Sequence, residues 1–249
     1  YLTASEKGPW ANSYDRWRND NLTNRYQGVQ FGYTSAGRYT SWNDIWSYPG
    51  YKERDILPGD YKYEDWNGDG EINGQDEHPF AFDQTPWLQF SLNAGLQWKN
   101  FDFNMLLQGS ALGSMEYKEP LHEIWGKNGG GALTQFLDRW HPVDPKADPY
   151  DPSTVWTSGH YAYTGRWAKN NSAFNRVSTA YLRLKSIELG YTFPKLKQIP
   201  NASLRIYANA YNLLTFTGVK FVDPEHPDDD LGRMYPLNKT YTLGVSLSF

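Results

Sequence analysis

Cysteine is absent from all 249 residues. That removes disulfide frameworks, thiol nucleophiles and cysteine-ligated metals from the functions open to the chain. It also fits an envelope protein that avoids stray thiols. Long apolar runs are absent too. A membrane-spanning helix needs ~20 consecutive apolar residues, whereas Met105-Leu106-Leu107 is typical of the longest strictly apolar stretches here. This excludes a helical membrane protein and leaves a β-barrel open. Nor is there an excess of positive charge. Lys and Arg number 24 against 28 Asp and Glu, a net charge of -4, and a nucleic-acid partner would normally show as a basic face. Enzyme signatures are equally scarce. His78, His122, His141, His160 and His226 form no zinc-protease spacing, and there is no nucleophile elbow, P-loop or dinucleotide fingerprint. Glu119 and Glu123 stand one helical turn apart, but such carboxylate pairs are common on solvated surfaces. Asp228-Asp229-Asp230 reads as a solvated loop, and the acceptor-like triplet Asn21-Leu22-Thr23 as chance. No enzyme is expected. The sequence opens at Tyr1 with neither a basic nor an apolar leader region, so the leader of an exported protein would lie outside these residues.

What is abundant is aromatic: 17% of residues, with 11 Trp and 19 Tyr, in a chain whose mean hydropathy is only -0.74. A polar average with many amphipathic rings suits a soluble globule. It equally suits a barrel whose lipid-facing and lumen-facing residues alternate. Length alone allows one large domain or two small ones.

The alternation is plain in the second half. Leu88, Phe90, Leu92, Ala94, Leu96 and Trp98 interleave with Gln89, Ser91, Asn93, Gly95 and Gln97, which predicts a strand with one apolar and one polar face. Lys99-Asn100 predicts a tight turn, and Phe101, Phe103, Met105 and Leu107 mark the returning strand. Leu182 and Leu184 hold one phase of the next strand, Tyr181 to Phe193. Ile187, Leu189, Tyr191 and Phe193 hold the other. The slip near Ser186 predicts a β-bulge, because one extra residue flips the face. Pro194 ends that strand and Pro200-Asn201 lies in the turn. Leu204, Ile206, Ala208 and Ala210 begin another, and Tyr241, Leu243, Val245, Leu247 and Phe249 alternate to the end. Tyr26 to Tyr33 reads as a strand, and residues 1–20 stay ambiguous. Leu133, Phe136, Leu137 and Trp140 sit at helical spacing and suggest one short helix. No internal repeat is apparent. Residues 34–86 and 111–179 are rich in turn chemistry, including Pro49-Gly50, Pro58-Gly59 and Gly129-Gly130-Gly131. Long strands joined by short turns on one side and long loops on the other is the asymmetry of outer-membrane barrels.

Several blocks, in order, carry a family resemblance. Leu57-Pro58-Gly59-Asp60-Tyr61 with Asp65-Trp66-Asn67-Gly68-Asp69-Gly70-Glu71-Ile72 resembles a "PGD…D-x-N-x-D-G-x-I" segment of SusC-like TonB-dependent transporters. Gln84-Thr85-Pro86, Trp98-Lys99-Asn100-Phe101-Asp102-Phe103 and Leu107-Gln108-Gly109-Ser110 resemble the family's next hairpin. Ser178 to Pro194 is similar to its "SYLRLKN…LGYTLP" strand, and Tyr211-Asn212-Leu213-Leu214, Asp223-Pro224-Glu225 and Tyr235-Pro236-Leu237 complete the series. Thr179 and Ala180 intervene where the family has Ser directly before Tyr, and Glu77 stands where Arg is usual. The resemblance implies an all-β fold: the C-terminal strands of a large antiparallel transmembrane β-barrel with long extracellular loops. On that reading residues 1–249 are the C-terminal portion of the receptor barrel, while the plug domain and earlier strands lie outside the chain. About six strands are legible, against ~22 in a family barrel, so this segment completes a sheet supplied by more of the protein. The family further implies active import across the bacterial outer membrane. Coupling to TonB runs through the absent N-terminal region, a SusD-like surface lipoprotein acts as lid, and the ligand is an oligosaccharide or a peptide.

Two local signals remain. Asp65, Asn67, Asp69, Glu71 and Asp76 occupy positions 1, 3, 5, 7 and 12 of an EF-hand-like loop with Gly70 at position 6, which points to Ca²⁺ or another hard cation. No amphipathic helix flanks the loop, and the same residues favour turns that bind nothing. The final Phe249 after alternating apolar residues resembles the assembly signal of outer-membrane barrels. Trp87, Trp98, Tyr191 and Tyr241 are candidates for interfacial girdles. Trp125, Trp140, Trp156 and Trp167 are candidates to stack on sugar rings, pack against the lid or simply order the loops. Two alternatives stay open. One is a secreted calcium-dependent glycan-binding β-sandwich module, which explains the acidic loop and the Trp content but not an eleven-residue strand with a continuous apolar face. The other is a glycoside hydrolase, which needs a carboxylate pair at catalytic separation.

Overall fold

The computed structural model describes residues 25–49, 56–122, 133–165, 168, 171–194, 202–226 and 231–248. Phe249, Trp125, Trp167, Glu123, Gly50, Gly129-Gly130-Gly131, Asp228-Asp229-Asp230, the turn Pro200-Asn201 and Asn21-Leu22-Thr23 lie outside the described residues. The strands, in chain order, are β1 (Gln30–Gly32), β2 (Ser35–Arg38), β3 (Tyr61–Tyr63), β4 (His78–Ala81), β5 (Leu88–Trp98), β6 (Phe101–Ala111), β7 (Ser114–Glu116), β8 (His141–Pro142), β9 (Trp156–Thr157), β10 (Arg176–Ser178), β11 (Tyr181–Thr192), β12 (Ser203–Thr217) and β13 (Thr240–Ser248). One α-helix, α1, spans Trp42–Ser47. Among the described residues no helix is long and apolar enough to cross a membrane. The chain forms two compact units. A loop unit takes in Tyr1–Asp83, Met115–Val177 and Asp230–Gly232, and a sheet unit takes in Gln84–Ser114, Ser178–Asp229 and Arg233–Phe249.

The sheet unit is one five-stranded antiparallel sheet in the order β13-β12-β11-β6-β5. Period-two alternation fixes its faces, because successive side chains of a strand point to opposite sides. Ala94, Met105, Ile187, Ala210 and Tyr241 form one cross-strand row, and Leu96, Phe103, Leu189, Ala208 and Leu243 the next. The opposite face carries rows such as Gly95, Asn104, Glu188, Asn209 and Thr242. The phase slip in β11 is a bulge. Leu184 pairs with Leu107 and Ser186 with Leu106, which leaves Lys185 as the extra residue. β12 answers with its own irregularity, since Leu184 pairs with Leu214 but Ser186 with Tyr211, and Asn212 there is left-handed at φ 53. Without Lys185, Ile187, Leu189 and Tyr191 would turn to the polar face.

Lys99-Asn100 joins β5 to β6 with Trp98 opposite Phe101, and β11 turns into β12 at the same end of the sheet. At the other end the chain departs for residues 112–180 and 218–239. The expected asymmetry of short turns and long loops is therefore present.

The loop unit is held differently. Its strands pair as two-stranded ribbons, β1 with β4, β2 with β3 and β8 with β9. Tyr33, Tyr63 and Ile72 make one small core with Tyr61 and Phe174 packed on it, and the Arg38 guanidinium lies 4.4 Å above the Tyr61 ring. Phe136 and Tyr161 make another, with ring centroids 4.5 Å apart. Two readings of this region need correction. The strand expected over Tyr26 to Tyr33 is only Gln30–Gly32. The helix expected from Leu133 to Trp140 is one 3₁₀ turn, Thr134–Leu137. There Phe136 is buried but Leu137 is 79% exposed, so the apolar spacing is not one face. The Asp138 carbonyl accepts the N–H groups of His160 and Tyr161 at 2.9 and 3.0 Å, which stops the turn from continuing. Helix α1 had no sequence signal beyond its N-cap. The Ser41 hydroxyl accepts the Asp44 N–H at 3.2 Å, a common way of satisfying a first-turn donor.

Candidate functional site

The apolar face of the sheet is uncovered. Leu92, Leu96, Leu189, Leu243 and Val245 are 53–77% exposed. In a β-sandwich a second sheet would bury such residues. β5 runs eleven residues from Leu88 to Trp98, about 33 Å at ~3.3 Å per residue, or about 25 Å when tilted by ~40°, which is the height of the apolar band on an outer-membrane barrel. Rings cluster at its ends. Trp98, Phe101, Tyr191 and Phe193 gather at the turn end, with Phe101 and Tyr191 centroids 4.7 Å apart and Tyr191 and Phe193 4.9 Å apart. Trp87, Phe90 and Phe216 stand at the loop end. Tyr241, near the start of β13, lies instead in the cross-strand row of Ala94, mid-way along β5. Most of the other side chains in the middle are aliphatic.

The polar face is organised by ion clusters. Arg205 on β12 reaches across β11 to Asp102 on β6, its Nε donating to Oδ1 at 3.1 Å. It also donates to Glu188 Oε1 at 2.7 Å. The reach depends on Gly190, where a Cβ would collide with both Arg205 and Asp102. Nearer the loop end, Arg183 is 1% exposed and donates Nη2 to both Asp223 oxygens at 2.7 Å and Nη1 to Glu225 at 3.3 Å. Lys185 donates to Glu225 at 2.9 Å and the Tyr181 hydroxyl does so at 2.9 Å. These charge-assisted bonds tie the Asp223-Pro224-Glu225 segment down onto β11. Beside it lies a depression of about 600 Å³ whose lining includes Gln89, Gln108, Ser110, Thr179 and Glu225, so this face is polar where the other is apolar.

The acidic loop is a coil of side-chain-to-backbone turns. Asp65 Oδ1 accepts the Gly68 N–H at 2.8 Å and Oδ2 the Gly70 N–H at 2.9 Å. Asn67 Oδ1 accepts from Asp69 at 3.0 Å, and Asp69 Oδ1 from Glu71 at 2.8 Å. Asp76 is fully buried. Its carboxylate accepts the N–H groups of Trp66 at 2.9 Å and Asn73 at 2.7 Å. Burial pushes the Asp76 carboxyl above its ordinary range, and the backbone donors pull it back in part. Of the five residues singled out, the structure draws Asp65, Asn67 and Asp69 together, seats Asp76 as a buried anchor and leaves Glu71 exposed. Among the described residues no three His, Asp or Glu side chains group as a metal site would require.

Of the loop tryptophans, Trp140 packs on Gly59, where a Cβ would collide with its ring, and Trp156 meets Tyr163 edge-on at 5.3 Å. Sequence reasoning missed Trp42, which neighbours both in space. Its only signal was a preceding Ser at a cap position.

No family model matches the chain. The chain is 28% identical over 211 residues to TonB-dependent receptor P3 of Formosa agariphila, a match covering 78% of this chain and 19% of that protein. It is 26% identical over 239 residues to TonB-dependent receptor P26 of the same organism, covering 90% of this chain and 22% of that one. To the TonB-dependent receptor SusC of Bacteroides thetaiotaomicron it is 25% identical over 210 residues, covering 83% and 19%. Among solved structures, the RagAB peptide transporter superposes with a TM-score of 0.57 at 20% identity over 89% of this chain and 22% of that one. The same importer in its closed-closed state gives 0.55 at 19% identity over 89% and 23%. The chain thus spans about a fifth of the length of the relatives it matches. It is related to the SusC-like TonB-dependent receptors along that fifth, and its antiparallel strands and loops have the fold of the matching stretch of such a transporter.

Proposed function

We propose that the chain is the C-terminal portion of the barrel of an outer-membrane, TonB-dependent importer, and that it supplies part of the barrel wall and its extracellular loops. The observation that carries this reading is the two-faced sheet. An apolar band about 25 Å tall is exposed on one side, and on the other Arg205, Asp102 and Glu188 sit in hydrogen-bonded contact. Lipid suits the first face and a water-filled lumen the second. The names of the relatives support transport over catalysis, and the proposal assigns the chain no reaction. A SusD-like lipoprotein lid, coupling to TonB through a region outside the chain, and an oligosaccharide or peptide ligand belong to the same proposal. A secreted sandwich is disfavoured by the uncovered leucines.

The test is extraction. Membranes are separated, the outer membrane is solubilised in detergent under native conditions, and proteins co-purifying with this chain are identified by mass spectrometry. Recovery only in detergent, together with plug-bearing sequence and a surface lipoprotein, is expected. Recovery in the soluble fraction without detergent overturns the reading.

Calcium at the acidic loop is a separable part of the proposal. The oxygens of Asp65, Asn67, Asp69, Glu71 and Asp76 keep lone pairs beyond those that accept backbone N–H groups. Added Ca²⁺ should raise the melting temperature of the purified protein, and Asp69→Asn should remove that gain. An equal melting temperature in Ca²⁺ and in chelator would leave the loop as a metal-free turn.

A further inference from the structure

Two Asn-Gly pairs lie within the acidic loop, Asn67-Gly68 and Asn73-Gly74. A third, Asn128-Gly129, lies outside the described residues. An Asn-Gly peptide can react with itself. The glycine nitrogen attacks the asparagine side-chain carbonyl carbon, and glycine has no Cβ to hinder the approach. Three groups govern such a step: a base for the glycine N–H, a donor for the developing oxyanion and a partner that orients the departing amide.

All three are present at Asn67. Asp65 Oδ1 accepts the Gly68 N–H at 2.8 Å. An N–H lies in the peptide plane, so a base placed there draws on the proton and leaves the face of the nitrogen open for attack. The Asp69 N–H donates to Asn67 Oδ1 at 3.0 Å, where negative charge would gather. Asn67 Nδ2 donates to Asp69 Oδ2 at 2.8 Å, which orients the leaving group. Gly68 is exposed and left-handed at φ 74. Nothing stands within 4 Å of where its Cβ would be, so water reaches the reacting bonds. Asn73 is an internal control. Its Oδ1 accepts the Gln75 N–H at 2.8 Å, so its carbonyl is held in the same manner. The difference is the base. The Asp76 carboxylate is taken up by the N–H groups of Trp66, Asn67 and Asn73 at 2.9, 3.4 and 2.7 Å. Among the described residues no side chain accepts the Gly74 N–H.

We infer that Asn67 is a self-modification site, converted by its own loop to aspartate and isoaspartate with loss of ammonia. The bond from Gly68 N to Asn67 Cγ forms, and the bond from Asn67 Cγ to Nδ2 breaks. The Gly68 proton passes to Asp65 and departs with the amide as ammonia. Water then opens the succinimide ring at either carbonyl, giving aspartate or isoaspartate. No oxidant, reductant or cofactor enters. The product puts a carboxylate where an amide now donates to Asp69, so an attraction becomes a repulsion. The isoaspartyl form also lengthens the backbone by one carbon and takes the turn apart. The chemistry is independent of the import reading, because it needs only the loop.

The test is peptide mapping by mass spectrometry of the detergent-purified protein, aged at neutral pH with chelator. One sample stays folded and one is unfolded in guanidinium chloride. In the folded protein Asn67 should convert at least fivefold faster than Asn73, and faster than it does unfolded. That gain is modest beside the roughly 10²–10⁴-fold that a positioned acid or base supplies in an enzyme. In the unfolded chain the two Asn-Gly pairs should convert within twofold of each other. Asp65→Asn keeps an acceptor for the Gly68 N–H but removes the base, and should slow Asn67 at least threefold while sparing Asn73. The parent's folded-to-unfolded comparison needs no variant, so it decides even if Asp65→Asn loosens the loop. Equal rates at Asn67 and Asn73 in the folded parent, slower conversion of Asn67 folded than unfolded, or an unchanged Asn67 rate in folded Asp65→Asn overturns the assignment.

Discussion

The two units of the chain place their apolar side chains in opposite ways. In the sheet unit Leu92, Leu96 and Leu243 are 58%, 64% and 77% exposed, while in the loop unit Leu57, Met115 and Phe136 are 2%, 0% and 2% exposed. The first arrangement would be an aggregation hazard in water, and the second is what water selects. On the proposed barrel reading, the same chain meets two solvents. Its periodic strands suit hydrocarbon on one face. Its aperiodic loops bury aromatic rings in small clusters and satisfy their backbone with Asx turns. Exposure alone does not report stability here; the surrounding medium decides its sign.

The largest effect should come from the polar face, where the sheet meets its own loop. Arg183→Met leaves Asp223 without the guanidinium that holds both its oxygens at 2.7 Å, and breaking a buried pair from one side costs about 3–5 kcal/mol. Limited proteolysis should then cut near residues 218–226 in the variant and spare the parent. Uncut loops and an unchanged denaturation midpoint would mean that the cluster does not fasten the loop. Next comes the apolar face. Leu189→Arg places a charge mid-strand and should destabilise the folded protein in lipid by about 2–4 kcal/mol. Leu137→Arg, also at an exposed leucine (79% against 53% for Leu189) but in the loop unit, should stay within about 0.5 kcal/mol. Denaturant titrations in bilayers measure both, and equal effects would abolish the contrast between the units.

The sheet unit was legible in the sequence because each strand repeats one physical rule eleven or so times over. The bulge was legible for the same reason, since a slipped phase has one remedy, and only the identity of the extra residue, Lys185, needed the structure. The loop unit was not legible. Its order comes from pairings between distant segments, such as the Tyr33 N–H donating to the Asn171 carbonyl at 3.0 Å and Phe174 packing on Tyr61 at 4.8 Å, and these leave no local period. Helix α1 is six residues, too short for an amphipathic pattern to declare itself. The acidic loop was half legible. Its oxygen spacing reads identically whether the carboxylates face a cation or the backbone N–H groups that Asp65 and Asp76 accept here. Trp140 and Trp156 were singled out, but their meeting with Trp42 depends on Gly59 and the β8–β9 register.

A pH titration sharpens the contrast from the loop side. Burial pulls His122 down from an ordinary value of 6.5 to about 4. The folded state therefore stays neutral at this site while the unfolded chain takes up a proton below pH 6.5. The stability due to neutral His122 is fully present above that pH, falls as pH drops from 6.5 towards 4, and is about 2 kcal/mol smaller at pH 5 than at pH 7.5. Protease susceptibility of the loops should rise over this window and do so less in His122→Gln. An identical pH profile in the variant would assign the acid sensitivity elsewhere.

The smallest effect sits at the turn that closes the first hairpin. Lys99 is left-handed at φ 54, a conformation that costs a residue with a side chain about 1 kcal/mol. Glycine would relieve that strain but would enlarge the freedom of the unfolded chain. It would also forfeit the Lys99 ammonium lying 4.9 Å from the Trp98 ring centroid, a contact worth about 0.5 kcal/mol at an exposed site. These opposing terms leave Lys99→Gly within about 0.5 kcal/mol of the parent. Asn100 and the Trp98–Phe101 pair still fix the register, so the strands on either side should keep their faces. Denaturant midpoints in matched bilayers provide the comparison with Leu189→Arg. A shift beyond about 1 kcal/mol for the turn variant would mean that the hairpin depends on its connection, and no longer chiefly on the apolar face of its eleven-residue strands.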